Sequence, residues 1–120
     1  MKKNNIVLPS KFQKGDEITV TRDELKEAVY NPRIIDDQQL KRLKQGLKKH
    51  GLIGASIVLN RRTGNVVSGH QRLKALDLLE GTKNYELRVT AIDVDEREEK
   101  QINVQLNNPS LMGDWDIEKL

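Results

Sequence analysis

Residues 66–76 read VVSGHQRLKAL, and the stretch Ser68-Gly69-His70-Gln71-Arg72 combines the groups that hold an anion. A glycine at a strand end permits close backbone approach and unusual φ angles. The N–H groups that follow, at a helix start, lack intrahelical partners, and the partial positive charge there favours an anion. Arg72 adds a bidentate fork for phosphate or carboxylate, while His70 and Gln71 offer a donor or acceptor to a sugar, base or phosphate oxygen. His70 is also the group such a pocket would use as a general base. An ordinary strand–helix turn with Arg72 on the solvent side has the same local sequence.

A second cationic group is the run Lys41, Arg42, Lys44, Lys48 and Lys49. On a helix, positions 41, 44 and 48 share one stripe, with 42 and 49 seven apart beside it. Such a stripe either tracks the phosphates of DNA or is a solvated helix face.

The elements that must position these residues follow from periodicity. EITVT (17–21) alternates and is β-branched, which predicts a short strand. A single helical turn fits before Asn31-Pro32, where proline biases the chain to extend. Asp36 caps a helix running to about His50, with Gln39 in the reciprocal capping-box position. Leu40, Leu43 and Leu47 make its apolar stripe, expected against the sheet, and Gly51 ends it. ASIVLN (55–60), the turn RRTGN and VVS (66–68) read as a hairpin. A helix from about His70 to Glu80 follows, with Leu73, Leu76 and Leu79 inward. YELRVTAIDV (85–94) is the longest strand, and Asp95 or Glu96 starts a helix through about Leu106. The order predicts an α+β domain with a small mixed sheet packed by helices. Residues 1–16 read as a loose arm, 17–107 as the domain, and 108–120 as the start of a helical extension. The chain is therefore expected to be the front part of a longer protein.

Composition narrows the chemistry. The 120 residues suffice for one modest core. There is no cysteine, which excludes disulfides and thiol mechanisms and fits a cytoplasmic setting. Apolar runs never exceed three residues, so no membrane-spanning helix is expected, and the basic start MKKNNIVLPS lacks the apolar stretch of a secretory signal. Only two histidines are present, too few for a His-rich metal site, and no metal-ligand set is assigned. The net charge of +3 is unevenly spread: residues 41–90 carry eleven bases and three acids, while residues 91–120 carry three bases and eight acids. A basic middle between acidic flanks points to a face that meets phosphate, or to solvated helix faces. Four aromatic residues argue against single-strand binding by base stacking.

The stretch YNPRIIDDQQLKRLKQGLKKHGLIGASIVLN followed by GNVVSGHQRLKAL resembles the ParB/sulfiredoxin superfamily. The resemblance covers roughly residues 17–107 and implies that fold. It also implies a pocket in which the Asn31-Pro32-Arg33 segment faces the Gly-x-x-Arg turn across a nucleotide of the CTP or ATP class, with Mg²⁺. Arg33 and Arg72 would contact phosphate, and Gly69, His70 and Gln71 would cradle it. The implied nucleotide- or phosphate-binding set is Asn31, Arg33, Ser68, Gly69, His70, Gln71, Arg72, Asn103 and Asn107.

Departures from the family are specific. Partition proteins usually show Gly-Glu-Arg-Arg where this chain has Gly69-His70-Gln71-Arg72. Sulfiredoxins place a nucleophilic cysteine where His70 stands, so their reduction chemistry is excluded. The family's Glu-Asn-x-x-Arg motif keeps Asn103 here, with Ile102 and Leu106 at the Glu and Arg positions. Gly-His-Gln-Arg, together with Leu106-Asn107, Gly113-Asp114-Trp115-Asp116 and Lys119-Leu120, is similar to phage- and prophage-type members. Trp115 reads as a packing anchor. The resemblance implies DNA as a partner, a methyltransferase or terminase-type partner domain, and a homodimer.

Three functional readings stand at this stage. The first is a nucleotide- or DNA-binding module acting in DNA partition, modification or packaging. The second is a weak metal-dependent nuclease or nucleotide-dependent phosphotransferase, with His70 as base. The third is a protein-interaction domain whose pocket is vestigial.

Overall fold

In the longest strand, β5, Glu86–Ile92, Leu87, Val89 and Ala91 turn inward, while Glu86 and Arg88 face solvent. This period of two is the signature of a half-buried strand. The computed structural model describes residues 6–28 and 36–107. Strand β1, Asp16–Thr21, pairs antiparallel with β5, bringing Ile18 opposite Val89 and Val20 opposite Leu87. On the other side of β5 lies β3, Val58–Asn60, in parallel. β3 returns antiparallel as β4, Asn65–Ser68, and β4 pairs in parallel with β2, Lys26–Glu27. The mixed sheet has five strands in the order β1-β5-β3-β4-β2. Val20, Leu25, Ile57, Leu59, Val66, Leu73, Leu87 and Val89 form the core.

The described residues hold three α-helices: α1, Asp37–His50; α2, His70–Glu80; and α3, Glu96–Asn107. α1 starts in the expected capping box. Asp36 Oδ1 accepts from the Gln39 N–H at 2.7 Å, and Gln39 Oε1 accepts from the Asp36 N–H at 3.4 Å. Gly51 follows its last turn and donates its N–H to the Leu47 carbonyl at 2.7 Å. α2 sends Leu73 into the core cluster that also holds Val66 of β4. α3 packs on the same strand. Successive residues of a strand point to opposite faces, so the full burial of both Val66 and Val67 means that β4 is covered on both sides.

The structure departs from the sequence reading in packing more than in elements. α1 rests on α2, its main contact, and not on the sheet. Leu40, Leu43 and Leu47 are each half-buried there, and α1 contains no buried residue. In α2 the inward face is Leu73 with the small Ala75, flanked by a half-buried Leu76, whereas Leu79 is 37% exposed. Steps of three residues drift by about 60° each around a helix of 3.6 residues per turn, so Leu79 has rotated off the face that Leu73 buries.

Two polar clusters fasten the layers. Arg22, only 4% exposed, donates to both carboxylate oxygens of Asp77 at 2.8 and 3.0 Å and to the Leu25 carbonyl at 3.1 Å. Tyr85 donates its hydroxyl to the same carboxylate at 2.8 Å. Burial and the adjacent Asp77 together push the Tyr85 phenol well above its ordinary pKa of 10.0. The second cluster surrounds the fully buried Glu99 of α3. Its carboxylate accepts from Asn60 Nδ2 at 2.7 Å, from Asn65 Nδ2 at 3.0 Å and from the Thr63 hydroxyl. A buried carboxylate is tolerated when it is fully hydrogen-bonded, and here that requirement ties α3 to the β3–β4 turn.

Candidate functional site

The site begins where β4 ends. Gly69 is the cap of α2 and adopts a left-handed conformation, φ 97° and ψ 19°. A side chain there would meet Ile57, whose Cγ1 would lie 2.8 Å and whose Cα 3.1 Å from the added Cβ. Both the angle and the space therefore call for glycine. No side chain caps α2. Among the described residues its first turn holds no acid, and its first N–H groups carry the positive end of the helix dipole.

α3 holds this turn in place. Asn103 Nδ2 donates to the Val67 carbonyl at 2.9 Å, and Asn107 Nδ2 donates to the same oxygen at 2.8 Å. Asn107 Nδ2 also reaches the Asn103 carbonyl at 2.8 Å, and the Ser68 hydroxyl donates to Asn107 Oδ1 at 3.3 Å. The two asparagines, one helical turn apart, thus grip the strand immediately before the glycine. Asn103 is buried and its amide serves the backbone, whereas Asn107 both braces the turn and borders the open space beside it.

That space is a cleft of about 540 Å³. The turn supplies Ser68, Gly69, Gln71 and Arg72; α1 supplies Gln39, Arg42 and Leu43; α3 supplies Leu106 and Asn107. Two guanidiniums and no acid line it among the described residues. Among the described residues neither Arg42 nor Arg72 forms an ion pair, and Asp77 is occupied by Arg22. A cleft of this volume falls within the usual range for small-molecule sites, about 300–1,000 Å³, and its charge selects anions.

The sequence-predicted residues divide accordingly. Ser68, Gly69, Gln71, Arg72 and Asn107 come together at the cleft. His70 does not line it. Neighbouring residues of a helix point about 100° apart, and with Gln71 and Arg72 turned to the cleft, His70 faces the other way. Its Nε2 is buried with no hydrogen-bond partner among the described residues. Burial lowers its pKa below 6.5, opposed by the Glu27 carboxylate and a hydrogen bond to the Val66 backbone. Arg42, placed by its sequence in a DNA-facing run, lines the cleft instead, leaving Lys41, Lys48 and Lys49 exposed and Lys44 half-exposed on α1. Asn31, Arg33 and the pattern around Trp115 lie outside the described residues.

Gln39, Arg42, Leu43 and Leu106 are the cleft residues that sequence reasoning did not place there. Gln39, Arg42 and Leu43 share the i, i+3, i+4 spacing of a single helix face, but which face meets α2 depends on packing. Among the described residues no group of three or more His, Cys, Asp or Glu side chains is arranged to hold a metal. No described helix is long and apolar enough to cross a membrane.

The family model for the ParB N-terminal domain matches residues 9–108. The chain belongs to the ParB N-terminal domain family. Among solved structures, this ParB-type domain is similar to a C-terminally truncated chromosome-partitioning protein ParB from Caulobacter crescentus, complexed with CTP-γ-S. The TM-score is 0.63 at 18% identity, over 78% of this chain and 53% of that one. It is also similar to a Pnob8-like ParB-N domain, with a TM-score of 0.61 at 19% identity, over 78% of this chain and 36% of that one. At these identities the likeness concerns the fold, and the chain spans about half of the first neighbour's length and about a third of the second's. No curated protein matches the sequence.

Proposed function

We propose that this domain binds the phosphates of a nucleotide in the cleft between α1, the Gly69 turn and the end of α3. The observation that carries this reading is the start of α2, without a side-chain cap, opening beside two guanidiniums that have no ion-pair partner and no lining acid among the described residues. Gly69 and Gln71 would cradle phosphate through the backbone, and Arg72 would fork it. Arg33, in the Asn-Pro-Arg segment that faces this turn in the family, is proposed as a further clamp. The related ParB complexed with CTP-γ-S supports a nucleotide of the CTP or ATP class. Mg²⁺ would travel with the phosphates, because no carboxylate among the described lining residues stands ready to hold it. With His70 turned from the cleft, the lining binds and orients rather than transfers protons, so the domain acts as a binding module.

DNA is the proposed macromolecular partner, met by the exposed lysines of α1. Gly-His-Gln-Arg and the later Trp115 pattern support a phage-type member working in DNA partition, modification or packaging, beside a methyltransferase or terminase-type partner. The absence of cysteine supports a cytoplasmic setting.

Calorimetric titration of CTP, ATP, GTP and UTP, with and without Mg²⁺, tests the nucleotide reading. A charge-assisted hydrogen bond contributes about 1.5–3 kcal/mol, so Arg72→Ala should weaken binding roughly tenfold to a hundredfold. Arg72→Lys should recover little, because a point charge does not replace the fork. Saturable binding that survives loss of Arg72 and Arg33 together would refute the site.

A further inference from the structure

Arg42 enters the cleft from α1, an element separate from the turn that carries Arg72. Beside it stands Gln39, whose side-chain oxygen is drawn back to the Asp36 N–H at 3.4 Å by the capping box. The box orients the amide and leaves its Nε2 as a donor with no partner among the described residues. Leu43 completes this wall. The cleft thus has two cationic sides. One is the turn with Arg72, and the other is a helix face with Arg42 and a pre-oriented amide donor.

A single phosphate seated on the Gly69 turn is already served by backbone N–H groups and one fork. It has neither the charge nor the extent to neutralise a second guanidinium on another wall of a 540 Å³ cleft. Two unpaired guanidiniums bordering one space repel each other, and the arrangement is relieved by a ligand that brings negative charge to both. We propose that Arg42 and Gln39 form a second anion subsite, so that the cleft selects ligands with two or more linked phosphates over a single phosphate. The proposal rests on the phosphate-binding reading given above and adds to it a role for α1. Arg42 supplies the fork for the distal phosphate, and Gln39 Nε2 donates to an oxygen of the same chain.

The test uses the whole chain with orthophosphate, pyrophosphate and tripolyphosphate as probes, followed by NMR of the amides at residues 69–72. Wild type should bind tripolyphosphate and pyrophosphate at least tenfold more tightly than orthophosphate. Arg42→Gln should lose tenfold or more for the two longer probes while changing orthophosphate by less than twofold. Arg72→Ala should weaken all three, and Lys74→Gln, which removes an exposed cation of α2 outside the cleft lining, should change the preference by less than twofold. Arg42 has no ion-pair partner among the described residues, so its variant should keep the wild-type melting temperature, which is checked first. If Arg42→Gln behaves like Lys74→Gln while Arg72→Ala still weakens binding, the second subsite is absent and the phosphate reading survives. Equal wild-type affinity for all three probes would likewise overturn the subsite. If wild type binds none of them, both readings fall together.

Discussion

Asn103 and Val67 are joined by a 2.9 Å hydrogen bond from side-chain amide to backbone carbonyl, which sets α3 against β4 two residues before Gly69. The asparagine's amide is spent on the backbone that leads into the turn. Asn103→Ala should cost about 1–2 kcal/mol, the range for removing a partner from a buried polar group, moderated because Asn107 still reaches the same oxygen. Urea unfolding measures this. A cost below about 0.3 kcal/mol would mean that the bond does not hold the turn.

Gly69 and Gly81 both adopt positive φ, 97° and 70°, at opposite ends of α2. Only Gly69 is hemmed in: a Cβ at Gly81 would have nothing within 4 Å. Gly81→Ala should therefore lose only the backbone term, about 1–2 kcal/mol. Gly69→Ala should lose clearly more, because Ile57 must also shift. Equal losses in thermal melts would contradict the close packing of the turn on Ile57.

His70 gives a pH dependence with a definite sign. Burial lowers its folded-state pKa below the ordinary 6.5, so the folded protein disfavours the imidazolium. The unfolded chain then binds more protons in the window below 6.5, and stability falls as pH drops through it toward the folded pKa. The contribution is fully present above that window. Melting temperatures between pH 7.5 and 5 should fall further in wild type than in His70→Gln; parallel curves would show that the imidazole is not desolvated.

The α1 lysines carry the DNA prediction. If Lys41, Lys44 and Lys48 contact phosphates, the logarithm of affinity should fall with the logarithm of salt by about 0.9 per contact. Replacing all three by Gln should flatten that slope by about two to three units. A slope that does not move would leave these lysines as favourable charges on a solvated helix, two of the cations, Lys48 and Lys49, sitting in its last turn.

What the sequence made legible was local. The Asp36–Gln39 box, Gly51 and the strand-to-helix passage at Gly69 each write their signal within a few residues, and those boundaries are where the structure places them. Features decided at long range were not visible. β2 is two exposed residues, Lys26 and Glu27, whose strand character comes entirely from pairing with Asn65 and Val66. Glu99 sits in an acidic helix start that reads as solvated, yet its partners Asn60, Thr63 and Asn65 come from a turn more than thirty residues earlier. Arg22 looks like one more surface cation until Asp77 is brought beside it. In the cleft the same division holds. The turn was recognisable because its chemistry is contiguous, whereas Arg42 entered only when α1 docked on α2.

That docking has a thermodynamic corollary. α1 buries no residue completely and leans on a single helix, whereas α2 anchors Leu73 and Ala75 in the interior. Elements with so little interior contact open more readily than the molecule as a whole. One wall of the cleft is thus its least stable helix, and amide protons along α1 should exchange with solvent well before those of α2 or β5. A ligand spanning both walls would use part of its contact energy to keep α1 seated. Its measured affinity would then understate the strength of its contacts, and the shortfall would reappear as slowed exchange along α1.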